Sequence, residues 1–152
     1  MWGCSEVDHF DACCVGLHAV KIGNRFAALQ PIAQGLQAEF GATGKDAGKG
    51  LKLRRDHGTP DTADDFLKQG EFWGIDTSFA FVAEPQTNGV VERFNRTLKE
   101  PAIHGRSFRD VEEVRAVVSA FKDRYNRYWR LEKRGFLSPR EARQSSAIRK
   151  AA

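Results

Sequence analysis

The chain has 152 residues, enough for one domain with a real core and too few for two independent ones. Hydrophobic residues make up 41% and charged residues 29%, which excludes collagen-like, low-complexity and wholly disordered chains. The net charge of +4 is unevenly placed: residues 1–88 hold 8 Lys/Arg against 12 Asp/Glu, and residues 89–152 hold 16 against 8. A polyanion such as DNA would prefer the C-terminal part, although a solvated helical surface accounts for the same charge. No apolar run approaches the roughly 18 residues of a membrane span, and the first residues lack the basic start and apolar stretch of a signal peptide. The expectation is a cytoplasmic protein with no membrane association. Three cysteines, Cys4, Cys13 and Cys14, are an odd number with two adjacent, which fits a reducing compartment better than a disulfide framework.

Residues 1–7 and 13–20 read as strands around a turn at Asp8 to Asp11. Asn24 caps an expected helix from Arg25 to Phe40, with Phe26, Leu29, Leu36 and Phe40 near one face, a kink at Pro31 and a stop at Gly41. The glycine-rich stretch 41–50 is a loop leading into a strand at 51–55. A turn at His57 to Pro60 then precedes an expected helix from Thr62 to Trp73 and a strand from Ile75 to Phe79, the rhythm of an α/β layer. Residues 80–88 read as a loop, and 89–99 as a helix that Pro101 stops. Val111, Val114, Val118, Phe121, Tyr125 and Tyr128 recur at spacings of three and four, which places one stripe of a helix over 110–128 on the core. Ser138 to Glu141 is a capping-box pattern with proline at the first helical position. The domain reading is a core over residues 1–144 and a disordered tail over 145–152.

Asp56 and Glu92 form the informative pair. An Asp at the carboxyl end of a strand and a Glu one turn into a helix can meet over a sheet edge, where two hard oxygen ligands suit Mg²⁺ or Mn²⁺. Carboxylates also serve as caps or surface ion-pair partners. On a helix, Glu92, Arg96 and Lys99 fall within about 60° of one another with Asn95 on the flank, while Val91, Phe94 and Leu98 lie on a neighbouring arc. The apolar arc docks and the polar arc is presented, so that Arg96 and Lys99 suit the phosphates of a DNA strand. The plainer alternative is an intrahelical Glu92–Arg96 pair worth a few tenths of a kcal/mol.

The segment Pro85 to Lys99, PQTNGVVERFNRTLK, closely resembles the signature around the glutamate of integrase-type DDE transposases, the group of insertion-element transposases and retroviral integrases. Leu53 to Gly58, LRRDHG, resembles the segment around the second aspartate of that family, and 35 residues separate Asp56 from Glu92, the family's spacing. Tyr125-Asn126 and FLSPREA over 136–142 resemble its C-terminal end. The resemblance implies a ribonuclease-H-like core, a mixed sheet flanked by helices, that uses two divalent metals (Mg²⁺ or Mn²⁺) for in-line attack on phosphodiesters. It implies Asp56 and Glu92 as metal ligands and catalytic residues, and Asn95, Arg96 and Lys99 along the DNA strand. Its implied partners are DNA, both transposon ends and target, and other transposase subunits.

The sequence departs from the family at its N-terminus. Relatives follow a Trp closely with a first Asp, whereas Met1-Trp2-Gly3 is followed by Cys4-Ser5. Two strands stand ahead of Asn24 where the family has three, so the fold is expected to be incomplete, with exposed edges and marginal stability. Asp8 and Asp11 are candidate replacements, but Asp8-His9 matches a hairpin turn away from the metal site. Asp61 replaces a usual aromatic. The alternative to a working catalytic core is a catalytically dead remnant that at most binds DNA. A zinc site at His9, His18, Cys13 and Cys14 is disfavoured because adjacent strand residues face opposite ways. Trp2, Trp73 and Trp129 read as packing residues rather than base-stacking platforms.

Overall fold

The computed structural model describes residues 2–55, 63–79 and 85–151. Asp56, the turn at 57–60, Asp61 and residues 80–84 lie outside the described residues.

Strand β1 (Trp2–Val7) pairs antiparallel with β2 (Cys14–Val20), setting Ser5 opposite Leu17 and Glu6 opposite Gly16. Between Glu6 and Val7 the register shifts, and Val15 is the extra residue. The hairpin turn is held by aspartates, as expected of short side chains that bond their own backbone. Asp8 Oδ1 accepts from the Phe10 N–H at 2.7 Å, and Asp11 Oδ1 accepts from the Cys13 N–H at 2.9 Å.

Helix α1 (Arg25–Phe40) starts at Asn24, whose side chain accepts from the Phe26 and Ala27 N–H groups. It ends at Gly41, whose φ of 68° is the left-handed cap that glycine adopts at little cost. The helix continues through Pro31. Its buried face differs from the expected one: Ala27, Pro31, Ile32 and Leu36 are buried, whereas Phe26 and Phe40 are exposed. The reason is a close approach between elements, since a Cβ at Gly16 would overlap the Pro31 carbonyl. The helix therefore turns its small and β-branched side to the sheet.

Strand β3 (Lys52–Arg55), helix α2 (Ala63–Phe72) and strand β4 (Asp76–Phe79) form the expected strand–helix–strand unit, with β3 and β4 parallel. Among the described residues the expected mixed sheet is split. One two-stranded sheet holds β1 and β2, the other β3 and β4, and no ladder joins β1 to β3. Helix α1 lies over both halves, because Ile32 and Leu36 pack with Phe66, Trp73 and Ile75 while Pro31 meets β2.

Helix α3 (Pro85–Leu98) begins four residues earlier than expected, with Pro85 at the first helical position, where its missing N–H costs nothing. It also does not stop at Pro101. The chain runs on in one π turn over Lys99–Ile103, with the His104 N–H donating to the Lys99 carbonyl at 2.8 Å. Proline cannot donate to the carbonyl four residues back, and a wider turn carries the chain past that gap while burying Ala102.

Helix α4 (Val111–Tyr128) buries Val114, Val118, Phe121 and Tyr125 as expected, whereas Tyr128 at its end is exposed. Phe94 of α3 sits 4.9 Å from Tyr125 and 6.1 Å from Phe121 between ring centroids. Burying such a side chain contributes roughly 1.5–3 kcal/mol, so this contact is what fixes α3 against the core. Helix α5 (Pro139–Ala151) opens on the expected capping box: Glu141 Oε2 accepts from the Ser138 N–H at 2.8 Å, and Ser138 Oγ accepts from the Glu141 N–H at 3.2 Å. The helix runs on over 145–151, beyond the point where a tail was expected.

Candidate nucleic-acid interface

Phe94 and Leu98 are buried, so the opposite side of α3 is forced outward. Glu92, Arg93, Arg96 and Lys99 are all exposed. None of the ion pairs among the described residues involves Glu92, Arg96 or Lys99, so the intrahelical Glu92–Arg96 pair does not form. Free cations beside a free carboxylate are what a phosphate strand or a cation would meet. Asn95 is placed differently: it is half-buried, and its Oδ1 accepts from the Ser5 hydroxyl of β1 at 2.9 Å. The helix face bearing Glu92 is thus tied to the first strand through Ser5.

Asp8 and Asp11 do not approach this face as replacements. Both are held by Arg143 of α5, Asp11 at 2.7 Å and Asp8 at 3.2 Å, and Arg143 also pairs with Glu39 of α1. Glu6 is also turned away. It stands opposite Gly16, on the side of the sheet that meets Pro31 of α1, whereas its neighbour Ser5 faces α3.

Several contacts in this frame are not legible from local sequence, although Asn126 belongs to the Tyr125-Asn126 pair that resembles the family. Asn126 clamps β2 by accepting from the Cys14 N–H at 2.9 Å and donating to the Cys14 carbonyl at 2.8 Å. Arg115 of α4 donates to the Ala19 carbonyl at 2.8 Å. Ser5 is an ordinary polar residue until β1 meets α3.

Residues 73–144 match the family model described as integrase core domain. No curated protein matches the sequence. Among solved structures, the chain is similar to the catalytic core domain of BIV integrase at 22% identity, covering 99% of this chain and 97% of that one with a TM-score of 0.58. The fold is that of an integrase catalytic core. Among the described residues, no three His, Cys, Asp or Glu side chains are grouped to hold a metal ion. Of the residues expected to ligate, Glu92 is exposed on α3, and Asp56 lies outside the described residues.

The cysteines of this core are poor ligands. Burial pushes the Cys4 thiol up to about 12 and Cys13 to about 11, and Cys14 is raised further, so all three stay protonated. Trp73 is buried against Ile75 as a packing residue, and Trp129 is partly exposed with its ring 6.1 Å from that of Tyr125. The Trp2 side chain lies outside the described residues. No helix among the described residues is long and apolar enough to cross a membrane.

Proposed function

We propose that this chain is an integrase- or transposase-type core that works on DNA in the cytoplasm, by metal-dependent phosphodiester cleavage and strand transfer. The observation that carries the reading is the outward face of α3, where Glu92 stands unpaired beside Arg96 and Lys99 on an integrase-core fold. Glu92 and Asp56 are the carboxylates assigned to a Mg²⁺ or Mn²⁺ pair, which would supply stabilisation of the attacking and leaving oxygens. Arg96 and Lys99 position the DNA strand through its phosphates, with Asn95 setting the face against β1. The partners are transposon-end and target DNA and further subunits of the same kind.

A second reading is favoured by β1 itself. This strand directs Ser5 at α3 and offers no carboxylate there, and both hairpin aspartates are taken up by Arg143. On that reading the chain is a catalytically dead remnant that binds DNA through α3 and its basic C-terminal half. One experiment separates the two: strand transfer by the purified chain with Mg²⁺ or Mn²⁺ and transposon-end DNA. Activity that Glu92→Gln abolishes establishes the first reading; DNA binding without any metal-dependent cleavage establishes the second.

A further inference from the structure

The two half-sheets face each other across a cavity of about 610 Å³. On one side it is bounded by Glu6, Val7 and Asp8 at the end of β1, and on the other by Leu51, Lys52 and Leu53 at the start of β3. Helix α1 forms part of the wall through Ile32 and Leu36, and α5 contributes Ser146 and Ala147. Neither β1 nor β3 has a ladder partner on its cavity side among the described residues. Such edges carry rows of free N–H and C=O groups, which are templates for a further strand. A strand rises about 3.3 Å per residue, lies about 4.8 Å from its neighbours and fills a layer about 10 Å thick, so this cavity has room for roughly four strand residues.

The charge at the wall selects among occupants. Asp8, Asp11 and Glu39 are satisfied by Arg143. The Glu6 side chain has no ion pair or hydrogen bond among the described residues, and it lines the cavity half-buried. On the face toward α1, the residue lying beside Glu6 on an added strand would be its cross-strand neighbour, where an opposite charge is stabilising. The remaining lining on that side is apolar, including Leu36, Leu53 and Ile75.

We propose that the gap between β1 and β3 is a strand-addition site for an extended segment of another polypeptide, with apolar residues facing α1 and one Lys or Arg beside Glu6. A strand inserted here must pair on both edges. Each strand of a folded second copy already has one edge engaged, so the occupant is a segment outside any sheet of its own. The site is separate from the exposed face of α3 and stands whether or not that face binds DNA.

The test uses the full chain and a fluorescein-labelled synthetic peptide alternating valine with threonine and carrying one central lysine. Three controls are the same peptide with glutamate in place of lysine, the lysine peptide N-methylated at alternate backbone nitrogens, and the Glu6→Gln protein. Fluorescence anisotropy is expected to show saturable binding that weakens at least ten-fold with the glutamate peptide and at least ten-fold with N-methylation. Glu6→Gln removes a costly buried carboxylate, so it is expected to fold, still to bind the peptide and to lose the lysine-over-glutamate preference. No binding, or binding indifferent to N-methylation, overturns strand addition. A lysine preference that survives in Glu6→Gln overturns the assigned orientation. A dimer by sedimentation that excess peptide dissociates identifies a second copy as the occupant and overturns the proposal.

Discussion

The Ser5 hydroxyl donates to Asn95 Oδ1 at 2.9 Å across 90 residues of sequence. This bond joins the first strand to the turn of α3 that follows Glu92. It also makes Asn95 a structural residue as well as a flank of the exposed face. A half-buried hydroxyl left without its acceptor costs about 1 kcal/mol, so Asn95→Ala is expected to lower stability by that amount in urea unfolding. Ser5→Ala should cost about as much, and the double variant should cost less than the two together, because both remove the same bond.

DNA affinity offers a separate reading of the same helix. If Arg96 and Lys99 each neutralise a phosphate, replacing either with alanine weakens binding to all DNA sequences alike and lowers the slope of log affinity against log salt by about 1. The measurement is fluorescence anisotropy with a labelled duplex over a series of salt concentrations. Glu92→Gln removes a negative charge from that face, so it is expected to tighten binding in the absence of divalent metal. Unchanged slopes in both cation variants would place the DNA elsewhere on the chain.

Parts of this fold are legible in the sequence because their cause is local. The α4 stripe of Val114, Val118, Phe121 and Tyr125 is a periodicity, and the Ser138–Glu141 box is a cap; each needs only its own helix. The strand–helix–strand rhythm of 51–79 is legible in the same way, whereas the separation of the strands into two ladders among the described residues has no local signal. The buried face of α1 is not legible either, because the contact between Gly16 and Pro31 joins two elements that no pattern links. Arg143 carries three carboxylates from the hairpin and α1, more than a hundred residues away, and it reads locally as one more surface arginine. At the candidate site, Glu92, Arg96 and Lys99 are placed outward as their helical spacing predicts, while the turn of Asn95 toward β1 depends on Ser5.

Glu6 makes stability depend on pH in an unusual direction. Burial raises its pKa from 4.5 to about 7, so between those values the folded chain holds a proton that the unfolded chain has released. Its contribution is therefore most favourable below about pH 4.5 and becomes unfavourable as pH rises to about 7. For a half-buried group a shift of this size is worth about 2 kcal/mol. Glu6→Gln is expected to stabilise the chain by about that amount at pH 8 and by little at pH 4.5, as followed by urea unfolding at the two values. Equal effects at both would mean that the carboxylate is charged throughout and well solvated.

Arg143 is the other electrostatic determinant, with the opposite sign. Asp11 is buried, and its Oδ2 lies 2.7 Å from Arg143 Nε, while Asp8 and Glu39 share the same guanidinium. Those carboxylates raise the Arg143 pKa further above its already high ordinary value, so the cation is permanent. Removing it leaves three carboxylates around one cavity wall, one of them with little access to water. Arg143→Met keeps much of the aliphatic stem and deletes only the charge, and it is expected to cost about 3 kcal/mol. Arg143→Lys should recover only part of this, because an ammonium cannot present the planar fork that serves several carboxylates at once. Because the three acids come from the β1–β2 hairpin and α1, the loss should appear as early exchange of the hairpin amides, read by hydrogen exchange, ahead of any change in the α3–α4 pair held by Phe94.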